Sequence, residues 1–303
     1  MTGRVLCALG GAYEVETGEG VVVASLRGRL KREGAGVGPL MAGDEVEVAG
    51  GDGGWTVERI FPRRSELVRR APGRAPRSKP IAANVDQAAV VFAAARPEPN
   101  LFMLDRFLVV AEQSGVLPFL VVNKIDLADP AVVESRFAPY RNAGYRLLLT
   151  CAKDGRGVAD LRRVLHDRTT VFTGPSGVGK SRLLNSVYPG LGLRVGEAGF
   201  KGRHTTVTAR LIPIPGGGYV ADTPGLREIG LWALPAAGLD RHFPELRPHL
   251  GGCRFDRSCT HTHESGCRVR EAVDAGTIPP ERYQSYRRML ANPAGDRRLP
   301  LPV

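Results

Sequence analysis

Residues 174–181 read Gly-Pro-Ser-Gly-Val-Gly-Lys-Ser and meet G-x-x-x-x-G-K-[ST] at every required position. The apolar run Thr170-Val-Phe-Thr precedes this stretch and a helical pattern, Lys180–Val187, follows it. That is the strand–loop–helix setting of a phosphate-binding loop. Its glycines, Gly174, Gly177 and Gly179, let the backbone of Pro175, Ser176 and Val178 curl so that successive N–H groups face phosphate oxygens. The helix that begins Lys180-Ser181-Arg182 adds its positive N-terminal end. Lys180 is placed to reach β- and γ-phosphates, and Ser181 to ligate Mg²⁺.

The surrounding pattern agrees with an α/β sheet. Buried-looking strands at Ala88–Ala95, Leu117–Val122, Arg146–Thr150, Thr170–Thr173 and Tyr219–Ala221 alternate with helical patterns at Leu104–Gln113, Val158–Leu165 and Lys180–Val187. Such alternation predicts a mainly parallel, doubly wound sheet.

A phosphate loop does not choose a base, but Asn123-Lys124-Ile125-Asp126 does. It ends the strand Leu120-Val-Val, where ligands bind in sheets of this kind. Guanine presents two adjacent donors, N1–H and N2–H, and the Asp126 carboxylate offers two acceptors at matching spacing. Adenine lacks that pair, so a buried carboxylate there would reject it. The stem of Lys124 can pack on the base, and Asn123 can bridge neighbouring loops. Cys151-Ala152-Lys153 follows the strand Leu147-Leu-Leu-Thr and resembles the Ser-Ala-Lys loop of GTPases, whose backbone N–H meets guanine O6.

Asp222-Thr-Pro-Gly225 ends the strand Gly218-Tyr-Val-Ala. Asp222 can hold Mg²⁺ through water, and the Gly225 N–H can meet the γ-phosphate. Between the phosphate loop and Asp222 lies Gly202-Arg203-His204-Thr205-Thr206. A threonine here completes the Mg²⁺ shell, and Thr205 and Thr206 both remain open for that role. Leu226 stands where many GTPases place a water-orienting Gln. His204 is therefore a candidate to accept a hydrogen bond from the attacking water, with contact to RNA as the alternative. An ordinary GTPase starts with its phosphate loop. Here the order is Asn-Lys-Ile-Asp, Cys-Ala-Lys, phosphate loop, Thr, Asp-Thr-Pro-Gly, which is a circular permutation.

The flanks differ from this centre. Ala12–Val15, Val21–Leu26, Glu45–Val48 and Trp55–Ile60 read as short strands between glycines, and a small barrel of the OB or SH3 kind over residues 1–68 is expected. Arg27, Arg29, Lys31 and Arg32 make a basic stripe there. Between Arg59 and Lys79 stand Arg59, Arg63, Arg64, Arg69, Arg70, Arg74, Arg77 and Lys79 against Glu66 alone. Residues 69–80 contain three prolines and are expected to be a basic linker. The permuted GTPase unit is expected over 81–238, and a small helical unit over 239–303.

Within that last unit, Cys253, Cys259, His261 and Cys267 offer three thiolates and an imidazole, which suit a closed tetrahedral Zn²⁺ site. His263 is a rival ligand. In a chain with no leader-like N-terminus and no 18-residue apolar run, clustered cysteines point to metal rather than disulfides, and a cytoplasmic location is expected. The net charge of +11 favours a polyanionic partner, and 43% hydrophobic residues exclude a disordered chain.

These motifs together resemble the circularly permuted ribosome small subunit-dependent GTPase A family (RsgA/YjeQ). The resemblance extends to Arg27-Gly-Arg29, Val57-Glu-Arg-Ile-Phe-Pro-Arg-Arg-Ser65, Ala83-Asn-Val-Asp-Gln87, Asp105-Arg106, Glu264-Ser-Gly-Cys267 and Arg282-Tyr283-Gln-Ser-Tyr286. It implies an N-terminal OB fold, a central permuted GTPase and a C-terminal zinc-binding helical domain. It also implies a monomer that binds GTP and GDP, contacts the 16S rRNA of the maturing 30S subunit, and hydrolyses GTP faster there. Five residues rather than four separate Cys253 from Cys259, and Cys151 stands in place of Ser. The competing readings are a P-loop ATPase or small-molecule kinase, which Asp126 opposes, and a non-hydrolysing RNA-binding switch, which the Lys180–Ser181–Asp222 set opposes.

Overall fold

A computed structural model describes residues 1–28, 39–51, 53–70, 78–193, 209–222 and 237–293. Strands β1 (Thr2–Ala8), β2 (Ala12–Thr17), β3 (Gly20–Leu26), β4 (Glu45–Gly51) and β5 (Gly54–Ile60) close into a barrel in the order β1-β2-β3-β5-β4. The β3–β5 pair is parallel and the others are antiparallel. This is the Greek-key closure of an OB fold rather than an SH3-like one. Val5, Val15, Ala24, Leu40, Val46, Val48 and Val57 fill the barrel. Strand β1 was not among the expected strands. A bulge between Val5 and Cys7 leaves Val5, Leu6 and Cys7 all buried, so the two-residue alternation that marks a strand is missing.

The described ends of the expected linker, 69–70 and 78–80, lie in strands. Strands β6 (Glu66–Arg70) and β7 (Ser78–Ala83) pair antiparallel as a two-stranded ribbon, while 71–77 lie outside the described residues. Pro80 does not prevent this, because it sits opposite Val68 beside a register shift in a ribbon whose strands are both edges.

The central sheet holds β8 (Gln87–Ala93), β9 (Leu117–Asn123), β10 (Leu147–Leu149), β11 (Thr169–Thr173), β12 (Arg210–Pro213) and β13 (Tyr219–Asp222), in the order β10-β9-β8-β11-β13-β12. All neighbours are parallel except β12. The strands carry helices on both faces, and side-chain alternation sorts the two layers. Ala88, Val90 and Phe92 pack with helices α1 (Leu101–Gln113) and α2 (Pro130–Asn142). Ala89, Val91 and Ala93 pack with α3 (Val158–Leu165) and α4 (Lys180–Val187). Helix α2 was not expected. Its own pattern is weakly amphipathic and carries Pro139 inside, although Asp129 as N-cap and Pro130 at the first position mark its start.

The C-terminal unit adds short 3₁₀ turns, α5 (Arg268–Asp274) and α6 (Pro280–Ala291). It shares an apolar core with α1 through Phe243, Leu246, Tyr283, Tyr286 and Met289. At that junction Arg282 is 1% exposed. It donates to Asp105 Oδ1 at 2.5 Å and Glu245 Oε1 at 2.6 Å, with the ring of Phe243 4.9 Å from its guanidinium. Among the described residues no helix is long and apolar enough to cross a membrane.

Candidate nucleotide site and metal centre

The C-terminal ends of parallel strands β9, β10, β11 and β13 lie along one end of the sheet, and the motifs at 123–126, 151–153 and 174–181 sit there with the backbone of Asp222. Gly174 takes φ 135°, and a Cβ on it would lie 2.0 Å from Val91 O. The phosphate loop therefore leaves β11 against β8 by a path only glycine allows. Gly179 takes φ 92°, and a Cβ there would lie 2.7 Å from Asn123 Nδ2. Val178 is buried, Ser176 and Gly177 are exposed, and Pro175, Lys180 and Ser181 are half-buried. Lys180 Nζ donates to the carbonyls of Gly174 at 2.7 Å and Pro175 at 2.6 Å, which keeps the ammonium over the mouth of its own loop.

Asn123 ties three motifs together from a buried position. Its Nδ2 donates to Val178 O at 2.9 Å, and its Oδ1 accepts from Thr150 Oγ1 and from Ala152 N, each at 3.3 Å. Lys124 takes a left-handed φ of 61°, and its Nζ donates to Gly177 O at 2.6 Å and to Arg96 O. Burial lowers the Lys124 ammonium below its usual value; Asp126 opposes that shift and Arg182 adds to it. Ile125 is half-buried against the core of α1 and α2.

Asp126 is exposed rather than buried. It stands on a 3₁₀ turn, with Oδ1 accepting from the Cys151 thiol at 3.2 Å. A bound base would itself have to cover this carboxylate. Cys151 is buried, Ala152 half-buried and Lys153 exposed. Backbone Asp222 ends β13. His204, Thr205, Thr206, Gly225 and Leu226 lie outside the described residues.

The metal centre is built without a sheet. Cys253, Cys259, His261 and Cys267 are all buried, and their ligand atoms lie within 4.8 Å of one another. Cys253 Sγ is 3.5 Å from His261 Nδ1 and 3.9 Å from Cys267 Sγ, and His261 Nδ1 is 3.4 Å from Cys267 Sγ. A tetrahedron with Zn–S of about 2.3 Å and Zn–N of about 2.0 Å has edges of about 3.8 and 3.5 Å, so the donor set fits zinc. His263 is exposed and bonds Thr262 instead. The longer Cys253–Cys259 loop closes through a 3₁₀ turn at Asp256–Ser258, with Asp256 at φ 42°.

The Asp240 carboxylate, 3.5 Å from His261 Nε2, raises that imidazole to about 9. Burial raises the Cys259 thiol to about 12. Cys267 caps the N-terminus of α5. Burial pushes its thiol up, but hydrogen bonds led by the Arg270 backbone N–H outweigh it and the net shift is downward.

Arg63, one of the cations between Arg59 and Lys79, has a structural role. Its side chain is 6% exposed and grips the fully buried Asp44, Nε to Oδ1 at 2.6 Å and Nη2 to Oδ2 at 2.8 Å. Arg59, stacked on Phe61, and Arg64 are exposed. Arg29, Lys31, Arg32, Arg74 and Arg77 lie outside the described residues.

The family model for the RsgA GTPase matches residues 60–232, more than half of the chain. The chain belongs to the RsgA GTPase family. It is therefore a GTPase, and its central unit is a circularly permuted GTPase fold. The chain is 49% identical to the small ribosomal subunit biogenesis GTPase RsgA of Gemmatimonas aurantiaca, covering 94% of this chain and 95% of that one. It is 43% identical to the protein of the same description from Azotobacter vinelandii, covering 96% and 85%. Among solved structures, YjeQ from Thermotoga maritima superposes with a TM-score of 0.81 at 32% identity, covering 98% of this chain and 99% of that one. YloQ, described as a circularly permuted GTPase, superposes at 0.74 and 33%, covering 96% and 93%. This RsgA-family GTPase thus departs from the expected picture mainly in the ribbon of 66–70 and 78–83 and the exposure of Asp126.

Proposed function

We propose that the chain binds the small ribosomal subunit through its 16S rRNA, assists late maturation of that subunit, and hydrolyses GTP to GDP and phosphate with turnover stimulated by it. The observation that carries the nucleotide half is the Asn123 hub, which fixes the base-reading loop to the phosphate loop. Asp126 reads N1–H and N2–H of guanine, Lys124 flanks the base, and Ala152 N–H meets O6. Lys180 pairs with the β- and γ-phosphates. Ser181, Asp222 and either Thr205 or Thr206 hold Mg²⁺, which would neutralise charge on the transferring phosphoryl group. Gly225 N–H meets the γ-phosphate, and His204 accepts a hydrogen bond from the attacking water. The metal at Cys253, Cys259, His261 and Cys267 is Zn²⁺ in a structural role.

The relatives' name as small ribosomal subunit biogenesis GTPases and the exposed Arg59 and Arg64 support the ribosomal half, because phosphate contacts need cations. The unit boundaries are 1–68, 81–238 and 239–303 around a basic segment at 69–80, and the protein works as a cytoplasmic monomer. The test measures GTP turnover with and without purified 30S subunits, for wild type and His204→Ala. Wild type is expected to be stimulated; the variant is expected to bind 30S with GTP yet lose stimulation. Equal wild-type rates with and without 30S would refute the stimulated reading. Weaker binding with normal turnover of bound variant would make His204 an RNA contact.

A further inference from the structure

Glu264 lies three residues beyond His261 and three before Cys267, and the metal reading gives it no part. Its carboxylate is filled by donors from one short arc of chain. Oε1 accepts from Thr260 N at 2.7 Å and from Thr260 Oγ1 at 2.5 Å. Oε2 accepts from Thr262 N at 2.9 Å and His263 N at 3.1 Å. Between those anchors stands His261 at φ 57°, in the left-handed region that a residue with a Cβ avoids unless its surroundings hold it there. Two tyrosines of α6 hold the other side of the arc: Tyr283 OH donates to His261 O at 2.7 Å and Tyr286 OH to Thr260 O at 2.8 Å. Arg270 Nη1 donates to Glu264 O at 3.1 Å. With its backbone fixed on both sides, the imidazole turns Nδ1 toward Cys253 and Cys267 and Nε2 toward Asp240.

We propose that Glu264 is the positioning residue of the metal centre, its two carboxylate oxygens shaping the Thr260–His263 loop so that His261 presents Nδ1 to the three thiols. The inference rests on the reading of that centre as a zinc site. The chemistry demands a carboxylate. A glutamine of the same size has one acceptor oxygen, and its amide NH₂ would point donors at backbone N–H donors. A carboxylate with four donors already on it is not a fifth ligand. It acts through His261, as groups behind metal-binding histidines generally do.

The test uses the full-length protein with Zn²⁺ and Co²⁺ as probes. Zinc affinity is measured by competition with a chromophoric chelator, and the Co²⁺ ligand-field spectrum reports the coordinating atoms. Glu264→Gln is expected to bind zinc ten- to a hundred-fold more weakly and to shift its Co²⁺ spectrum toward that of His261→Ala. The double variant is expected to lose little more than His261→Ala alone, because both changes remove one ligand. Glu264→Asp, which keeps two acceptor oxygens, is expected to recover much of the affinity. Glu271→Gln, on the exposed side of α5 beside Arg268, is expected to match wild type. Wild-type affinity and spectrum in Glu264→Gln would overturn the inference, and so would an Asp variant no better than Gln or a fully additive double variant. If wild type itself took up neither metal at these four residues, the zinc reading would fail, and the inference with it.

Discussion

The nucleotide end of the sheet and the metal centre are assembled by opposite means. At the nucleotide end, strand register does the placing. Parallel β9, β10 and β11 deliver their loops to one end, and Asn123 joins them from beneath. Of the candidate ligand-binding side chains, Asp126 is exposed and Lys180 and Ser181 are half-buried. At the metal centre no strand places anything. Turns and a left-handed histidine are held by side chains reaching backbone, and all four donors are buried. A sheet frame can stand without its ligand. A metal held by buried thiols packed beside Phe243 and Tyr286 would be part of the core.

Metal removal gives the largest expected effect and the most direct way to break this contrast. Structural zinc contributes on the order of 10–16 kcal/mol to small domains that depend on it. Chelation or Cys253→Ser is therefore expected to open 239–293 to protease while GDP affinity changes less than tenfold. Proteolytic mapping and GDP titration of the same sample check this, and joint loss of both would mean that the two regions are one cooperative unit. Next is Arg282, the bolt between α6 and α1. Arg282→Ala leaves Asp105 and Glu245 buried without their cation, and breaking such a pair costs about 3–5 kcal/mol. Calorimetry is expected to show a clearly lower Tm. A change under about 1 kcal/mol would show that apolar packing of α6 on α1 suffices.

Asn123→Ala follows in size. It removes the buried amide that Val178 O and Ala152 N share, and leaving such groups unpaired costs about 1–3 kcal/mol. GDP affinity is expected to fall about tenfold or more with zinc content unchanged. An unaltered affinity would show that strand register alone aligns the loops.

The contrast also explains what the sequence could tell. Motifs whose backbone does the work were legible, because glycines at fixed spacing announce Gly174 and Gly179 and strand ends announce Asn123 and Asp222. The four metal donors were legible as residue types, but not which imidazole nitrogen faces the thiols, since Tyr283 and Glu264 decide that from other positions. Strand β1 hid behind its bulge at Val5–Cys7, and α2 behind a weak apolar stripe. The buried Arg63–Asp44 pair was invisible for a different reason. In sequence an arginine among arginines looks solvated, and only the barrel's closure puts Asp44 beneath it. Exposure of Asp126 was likewise out of reach, because it depends on how far the 3₁₀ turn lifts the side chain from the sheet.

The smallest effect belongs to Cys151, and it measures how much side-chain support the exposed end of the nucleotide site needs. The thiol is buried and donates to Asp126 Oδ1 at 3.2 Å, so it steadies the carboxylate proposed above to read guanine. A thiol is a weak donor, and its acceptor is open to water, which can replace it. Cys151→Ala is therefore expected to weaken GDP binding by only a few-fold, at or below the about 1 kcal/mol typical of one hydrogen bond. Cys151→Ser is expected to match or exceed wild type, because a hydroxyl bonded to a carboxylate is shorter and stronger. ATP binding should not respond to either change. Titrations of GDP and ATP against the three proteins decide the matter. If Cys151→Ala bound GDP like wild type within twofold, the carboxylate would need no tether. If it lost more than about tenfold while remaining folded, the base-reading loop would depend on buried side chains as the metal centre does, and the contrast between the two regions would fail at this point.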